Sequence, residues 1–325
     1  MADRGIDEFT ERMYSRSGLD RLRPHLEGAY GIRVAALTEL DLGVFRVERR
    51  DGPDWVARVF PAAKPLEAVE GDGRILRFLA DHGFPAEQCA RAPAVTVHEG
   101  QGVLVTEYVA GTRPRAGAQT FGRLGEMLGR LHTLPPGPGA ASREGGAWHH
   151  LTFGGGPPAE IDAAIEFLEA TAGTRVAAGE RALYAELLGL LRQAEDGHDL
   201  PSALIHPDFV PANAVAGAGG GLTMVDWAGA GRGPRLWPLG FLLWAAGSRK
   251  LALADAVVAG YRAHVQPEPG ELARLAGVIG VRPLIFDCWA LCTGRKSLAA
   301  VMADWPATRE LAQAIAARAA EAFAG

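Results

Sequence analysis

Lysine is nearly absent from this chain, with Lys64, Lys250 and Lys296 the only three in 325 residues. Arginine supplies the other positive charges, and 33 Lys plus Arg stand against 38 Asp plus Glu for a net charge of -5. Such a balance offers no basic surface for a phosphate-coated polymer, so nucleic acid is not an expected partner. Cysteine is equally scarce: Cys89, Cys288 and Cys292 form no CxxC pair, which argues against a disulfide framework and a structural zinc site. Cys288 and Cys292, at i and i+4 of an apolar stretch, read as core. Residues Met1 to Ser17 carry Asp3, Arg4, Asp7, Glu8, Glu11 and Arg12 among few apolar residues, unlike the apolar region of a secretory signal. Long hydrophobic runs are lacking as well, since the longest, around Leu236 to Gly247, falls short of the ~20 residues that span a bilayer. These absences lead us to expect a cytoplasmic protein without a membrane partner.

What is present has two characters. The composition is 48% hydrophobic, enough for one large core or two moderate ones side by side. Ala35 to Leu40, Val44 to Arg49 and Trp55 to Phe60 are strand-like, with Asp51-Gly52-Pro53-Asp54 as a turn. Glu67 to His82 has helical spacing and is closed by Gly83, and Ala94 to His98 and Gly102 to Tyr108 are two further strands around a Glu99-Gly100-Gln101 turn. Beyond Gly111 the periodicity is helical over Thr120 to Leu134, Glu160 to Ala170, Glu180 to Ala194, Trp237 to Val265, and from Glu271 in several pieces. Gly/Pro-rich stretches at Pro135 to Gly146 and Gly154 to Pro158 read as connectors. The exception to helix is Ile205 to Asp226, where Pro207 and Pro211 exclude a regular helix.

That exception carries the candidate chemistry. It reads His206-Pro207-Asp208-Phe209-Val210-Pro211-Ala212-Asn213, then a Gly-rich turn, then Met224-Val225-Asp226-Trp227. Phosphoryl transfer to a hydroxyl needs a carboxylate near the acceptor proton and oxygen ligands that hold magnesium on the nucleotide phosphates. Asp208 suits the first task, and Asn213 with Asp226 the second. The bland alternative is that these residues cap turns, as Asp and Asn often do.

The pattern HxDxxxxN followed by an apolar run and an aspartate resembles the Brenner motif and metal aspartate of aminoglycoside phosphotransferases and related choline-kinase-like enzymes. The resemblance implies an α+β, two-lobed, protein-kinase-like fold. Its N-terminal lobe, residues 1–109, would hold an antiparallel sheet and one main helix, and its α-rich C-terminal lobe, residues 110–325, would follow a hinge near 107–111. It implies transfer of the γ-phosphate of ATP, with magnesium, to a hydroxyl of an aminoglycoside-like molecule, an amino alcohol or a sugar. GTP in place of ATP, the acceptor and the oligomeric state stay open.

Residue by residue, Arg58 stands where the family's strand carries its phosphate-gripping lysine, and the two side chains are not interchangeable there. Asp72 stands where the next helix offers a glutamate to orient that lysine, with Glu70 two residues earlier. A longer cation facing a shorter carboxylate could conserve the reach, so we expect Arg58 to pair with Asp72 or Glu70; an exposed Arg58 on the outer strand face is the alternative. Gly43 would let the backbone approach the nucleotide, or simply serve a hairpin. Backbone groups from Glu107 to Val109 would meet the adenine edge. His132, near a helix end, and His206 read as structural, the former through the helix dipole.

Pro238 departs from the family, which usually places an aspartate there in support of the catalytic loop, although a proline suits the first turn of a helix. Arg58 and Pro238 together motivate a rival reading as a catalytically weak nucleotide-binding or regulatory protein on the same fold. A kinase acting on a peptide or a biosynthetic intermediate is a third. Between Leu151 and Leu200, nine acids (Glu160, Asp162, Glu166, Glu169, Glu180, Glu186, Glu195, Asp196, Asp199) face Arg175, Arg181 and Arg192. They suggest either a wall for a cationic acceptor or solvated helix faces.

Overall fold

A computed structural model of the chain describes residues 4–135, 143–173 and 176–325. Met1 to Asp3, most of the Gly/Pro-rich stretch before Gly146, and Arg175 lie outside the described residues.

Two helices the strand-rich reading did not anticipate come first, α1 (Arg4–Tyr14) and α2 (Leu22–Tyr30). Five strands follow, β1 (Val34–Asp41), β2 (Val44–Arg49), β3 (Trp55–Val59), β4 (Val95–His98) and β5 (Gln101–Glu107), with α3 (Leu66–Asp81) between β3 and β4. They form one antiparallel sheet in the order β1-β2-β3-β5-β4. Alternation decides what each face does. Trp55, Ala57 and Val59 of β3, with Val103 and Val105 of β5, bury themselves against Leu22, Leu26 and Tyr30 of α2. Val56 and Arg58 therefore point to the opposite face, toward the rest of the molecule.

The second half is helical, as its periodicity requires. It contains α4 (Ala118–His132), α5 (Pro157–Thr171), α6 (Arg181–Arg192), α7 (Leu236–Gly247), α8 (Leu253–Tyr261), α9 (Pro269–Cys292) and α10 (Leu298–Ala324). Two small antiparallel pairs interrupt it: β6 (Ser202–Ile205) with β9 (Gly231–Pro234), and β7 (Ala214–Ala216) with β8 (Leu222–Met224). The single helix expected over Trp237 to Val265 is two, α7 and α8. The chain turns after Gly247, and α8 then lies against α4 so closely that a Cβ on Gly125 would meet the Val257 carbonyl oxygen at 2.2 Å. Pro238 sits in the first turn of α7, where its missing N–H costs no helix bond.

One expectation is corrected here. The 24-residue α9 is long and apolar enough to cross a membrane by length and composition, and exceeds the Leu236 to Gly247 run. It is a core helix, packed against α5, α7 and α10 with 61% of its apolar window buried. Its interior carries a buried arginine, Arg282.

Candidate active site

β6 delivers the chain to His206, which is fully buried. Its Nδ1 accepts from the Asp208 N–H at 3.0 Å and its Nε2 donates to the Val225 carbonyl at 3.1 Å, so one neutral tautomer clips the two halves of the segment together. Burial, against the pull of Asp226, lowers its pKa to about 4. Asn213 closes a short 3-10 turn and donates its Nδ2 to the Asp208 carbonyl at 3.0 Å, which leaves its Oδ1 as an acceptor. The β7–β8 hairpin then returns the chain, and Val225 donates to the Asn213 carbonyl at 2.9 Å. Spacing in sequence thus becomes adjacency: Asp208, Asn213 and Asp226 are brought to one loop cluster by a hairpin and a histidine.

Asp226 has a left-handed backbone, φ +67°. Its carboxylate Oδ1 lies 2.7 Å from Arg58 Nη1, and Oδ2 lies 4.0 Å from His149 Nε2. Burial alone would raise its pKa, but Arg58, then His149 and His206, hold it well below the usual carboxylate range. Oxygen donors at Asn213 and Asp226 are the ligand type a hard divalent cation takes, so the residues present fit magnesium.

The expected partnership of Arg58 with Asp72 or Glu70 is not found. Asp72 is fully buried and receives Lys64 Nζ at 2.7 Å and Arg143 Nη2 at 2.5 Å, while Glu70 lies on the surface beside Arg74 at 3.8 Å. Asp72 has two cations already, one from the β3–α3 connection and one from the helical half. Arg58 instead reaches across the cleft to Asp226, and the idea that it is an exposed strand residue also fails.

Asp208 meets a group that motif reading missed. Arg282 of α9, 2% exposed, places Nη1 3.4 Å from Asp208 Oδ1 and Nη2 3.2 Å from Glu160 Oε2, and donates from Nη2 to the Pro207 carbonyl at 3.1 Å. Glu160 of α5 has no exposed surface and also accepts from the Trp148 N–H at 3.0 Å. Burial raises the Asp208 pKa to about 6, against the opposing effect of Arg282, and Asp226 adds to the rise. Burial likewise pushes Glu160 up to about 7. An arginine in the middle of an apolar run, Val278 to Ile285, needs a buried partner, and that was the available signal for Arg282.

Gly43 has φ +70°, and a Cβ there would lie 2.7 Å from the Val59 carbonyl oxygen and 2.8 Å from Arg16 Nε, so the hairpin alone requires glycine. Arg16, in the segment after α1, donates to that carbonyl at 2.7 Å. A cavity of about 90 Å³ lies below this turn, lined by Arg16, Asp41, Val44, Arg58, His149 and Asp226 among others. At the end of β5 the exposed Glu107 donates its N–H to the Gln88 carbonyl at 2.8 Å, which removes it from the donors a ligand could use. Val109 is half-buried just beyond. His132 donates to or accepts from the Tyr261 hydroxyl at 2.8 Å, and burial lowers its pKa to about 3, so its structural role is this contact and not a charge on the helix dipole.

The phosphotransferase enzyme family profile matches residues 38–276, and the chain belongs to that family. It is a phosphotransferase of that family. No curated protein sequence matches it. Among solved structures it is similar to amicoumacin kinase hAmiN, determined with AMP-PNP, Ca2+ and amicoumacin, at 16% identity and a TM-score of 0.66 over 94% of this chain and 96% of that one. An aminoglycoside phosphotransferase from Alicyclobacillus acidocaldarius is similar at 16% identity and 0.62 over 95% and 98% of the two chains. Choline kinase LicA from Streptococcus pneumoniae is similar at 14% identity and 0.58 over 94% and 98%. Likeness at these identities establishes the two-lobed α+β fold.

Proposed function

We propose that the protein transfers the γ-phosphate of ATP to a hydroxyl of a small molecule, with magnesium, at Asp208, Asn213 and Asp226. The observation that carries this reading is the pairing of a carboxylate with a raised pKa, Asp208, with one held ionised, Asp226, on a single loop cluster. Asp208 orients the acceptor hydroxyl and takes its proton, and Arg282 keeps its carboxylate in place. Asn213 Oδ1 and Asp226 would hold magnesium, which when bound neutralises phosphate charge. Arg58 steadies the α- and β-phosphates from β3, Gly43 and Asp41 cover them, and Val109 meets the base. Residues 1–109 form the nucleotide lobe in this reading, and 110–325 the catalytic and acceptor lobe. The cavity of about 90 Å³ is small beside the ~300 Å³ at which small-molecule pockets begin, so seating a nucleotide requires Arg16 to move or the lobes to part.

Hydroxylated amines and aminoglycoside-like molecules are the first acceptor classes to screen, because kinases of such molecules share the fold, and sugars come next. A second reading, a nucleotide-binding protein of low activity, is favoured by one observation: Arg58 occupies an Asp226 oxygen that a metal would use. Calorimetric titration with ATP, with and without magnesium, followed by an acceptor screen, separates the two. Magnesium-dependent binding with turnover supports the kinase, binding with no turnover on any acceptor supports the second reading, and no binding refutes both.

A further inference from the structure

Glu87 is a buried carboxylate that the mechanism above leaves unused, 8% exposed in the segment after α3. That segment is stitched to the end of β8: Met224 donates to the Pro85 carbonyl at 2.9 Å, and Glu87 donates to the Met224 carbonyl at 2.9 Å. Its side chain has two partners. Oε2 accepts from the Thr106 hydroxyl on β5 at 3.0 Å, and Oε1 accepts from the Asp226 N–H at 2.8 Å.

The second bond falls on the strained point of the cleft. A left-handed backbone at a residue other than glycine persists only where its surroundings over-determine it. At Asp226 the carbonyl of the preceding residue is held by His206, the side chain by Arg58 and the N–H by Glu87. Among the described residues, Glu87 is the one that holds this peptide plane, on the N-terminal side of Asp226, from the sheet half of the molecule. Asp72, the carboxylate that α3 might have offered, is held by Lys64 and Arg143.

We propose that Glu87 is a positioning residue for the Asp226 carboxylate, tying it through Thr106 to β5, so that metal affinity at Asp226 depends on a residue that never touches the metal. This rests on the magnesium-binding reading of Asp226. Loss of a supporting contact of this kind typically lowers metal affinity about 10- to 100-fold.

The test compares wild type, Glu87→Ala and Glu87→Gln by magnesium titration at fixed ATP and by amide hydrogen exchange at Asp226 in the metal-free protein. Glu87→Gln keeps an acceptor for the Asp226 N–H, and the Thr106 hydroxyl can turn to accept from the new amide. The expected result is a magnesium midpoint raised about 10- to 100-fold in Glu87→Ala and near wild type in Glu87→Gln. Exchange at Asp226 should be fast in the alanine variant only. A magnesium midpoint unchanged in Glu87→Ala, or equal losses of ATP binding with and without magnesium in both variants, overturns the proposal. If Glu87→Ala does not fold, Thr106→Val carries the test, and an unchanged midpoint there overturns it too. A wild type without magnesium-dependent binding overturns the functional reading beneath, whereas slow Asp226 exchange in folded Glu87→Ala refutes the positioning role alone.

Discussion

Asp208 and Asp226 share one cleft and are similarly enclosed, with 14% and 20% of their side chains exposed, yet their proton affinities move in opposite directions. Burial pushes both upward. Asp226 meets Arg58 at 2.7 Å and the nearby His149, His206 and His150 add to the effect, which more than offsets the burial. Asp208 meets Arg282 at 3.4 Å, but that guanidinium is shared with the fully buried Glu160, so the opposing effect is diluted. Which cation a carboxylate meets, and whether it must share it, decides between a group that can take a proton near neutral pH and one that stays ionised.

The widest break in this contrast should come from Asp226→Ala, which removes magnesium-dependent ATP binding and turnover together; calorimetry showing wild-type binding in this variant would refute the metal role. Asp208→Asn should lower turnover about 10²- to 10⁴-fold while leaving ATP binding unchanged. Equal turnover would rule out Asp208 as base.

A third prediction moves to the neighbouring charge cluster. Asp72→Ala strands Lys64 and Arg143, the first of them buried, and should cost about 3–5 kcal/mol in urea unfolding, in line with breaking other buried pairs. An effect below about 1 kcal/mol, the range of exposed pairs, would mean that the cluster is solvated.

The pH profile sharpens the comparison. Asp208 must be ionised to accept a proton, so kcat/KM should fall as pH drops below about 6. Arg282→Met removes the lowering influence and should shift that limb to higher pH; a limb that stays put would detach Arg282 from Asp208. The smallest effect concerns stability. A carboxylate whose folded pKa is raised loses its stabilising proton as pH rises from about 4 to about 6, a cost fully present above that range. Asp208→Asn should therefore melt higher than wild type at pH 8, with the gain shrinking toward pH 4.

Much of the fold was legible because periodicity is local. β2 runs from Val44 to Arg49 as its alternation requires, and α3 ends within a residue of the position that Gly83 announces. The loop cluster was legible because a hairpin joins Asn213 to Asp226 over a short stretch of chain. Arg58 was singled out, but its partner is Asp226 and not Asp72 or Glu70. Nothing near Asp72 in the sequence says that Arg143, 71 residues away, would claim it. Arg282 and Glu160 escaped for the same reason, since each looks like an ordinary helix position until α5 and α9 are packed together. Several of the nine acids prove to be taken: Glu160 by Arg282, Glu195 by Arg274 and Glu169 by Arg192. Pro238 has no carboxylate to hold the loop at Asp208, and Arg282 reaches that loop from α9 by donating to the Pro207 carbonyl.

By itself, then, the sequence determined the elements, the order of sheet and helices, and the identity of the loop carrying Asp208, Asn213 and Asp226, because hydrophobic period, turn residues and short spacings act within a few residues. Only the tertiary structure decided who pairs with whom. Arg58 could have reached several carboxylates, and Asp72 was closed to it because two other cations hold it, Lys64 from the β3–α3 connection and Arg143 from the helical half. Coulombic attraction depends on distance in space, and burial sets its strength, so neither can be read from positions along a chain.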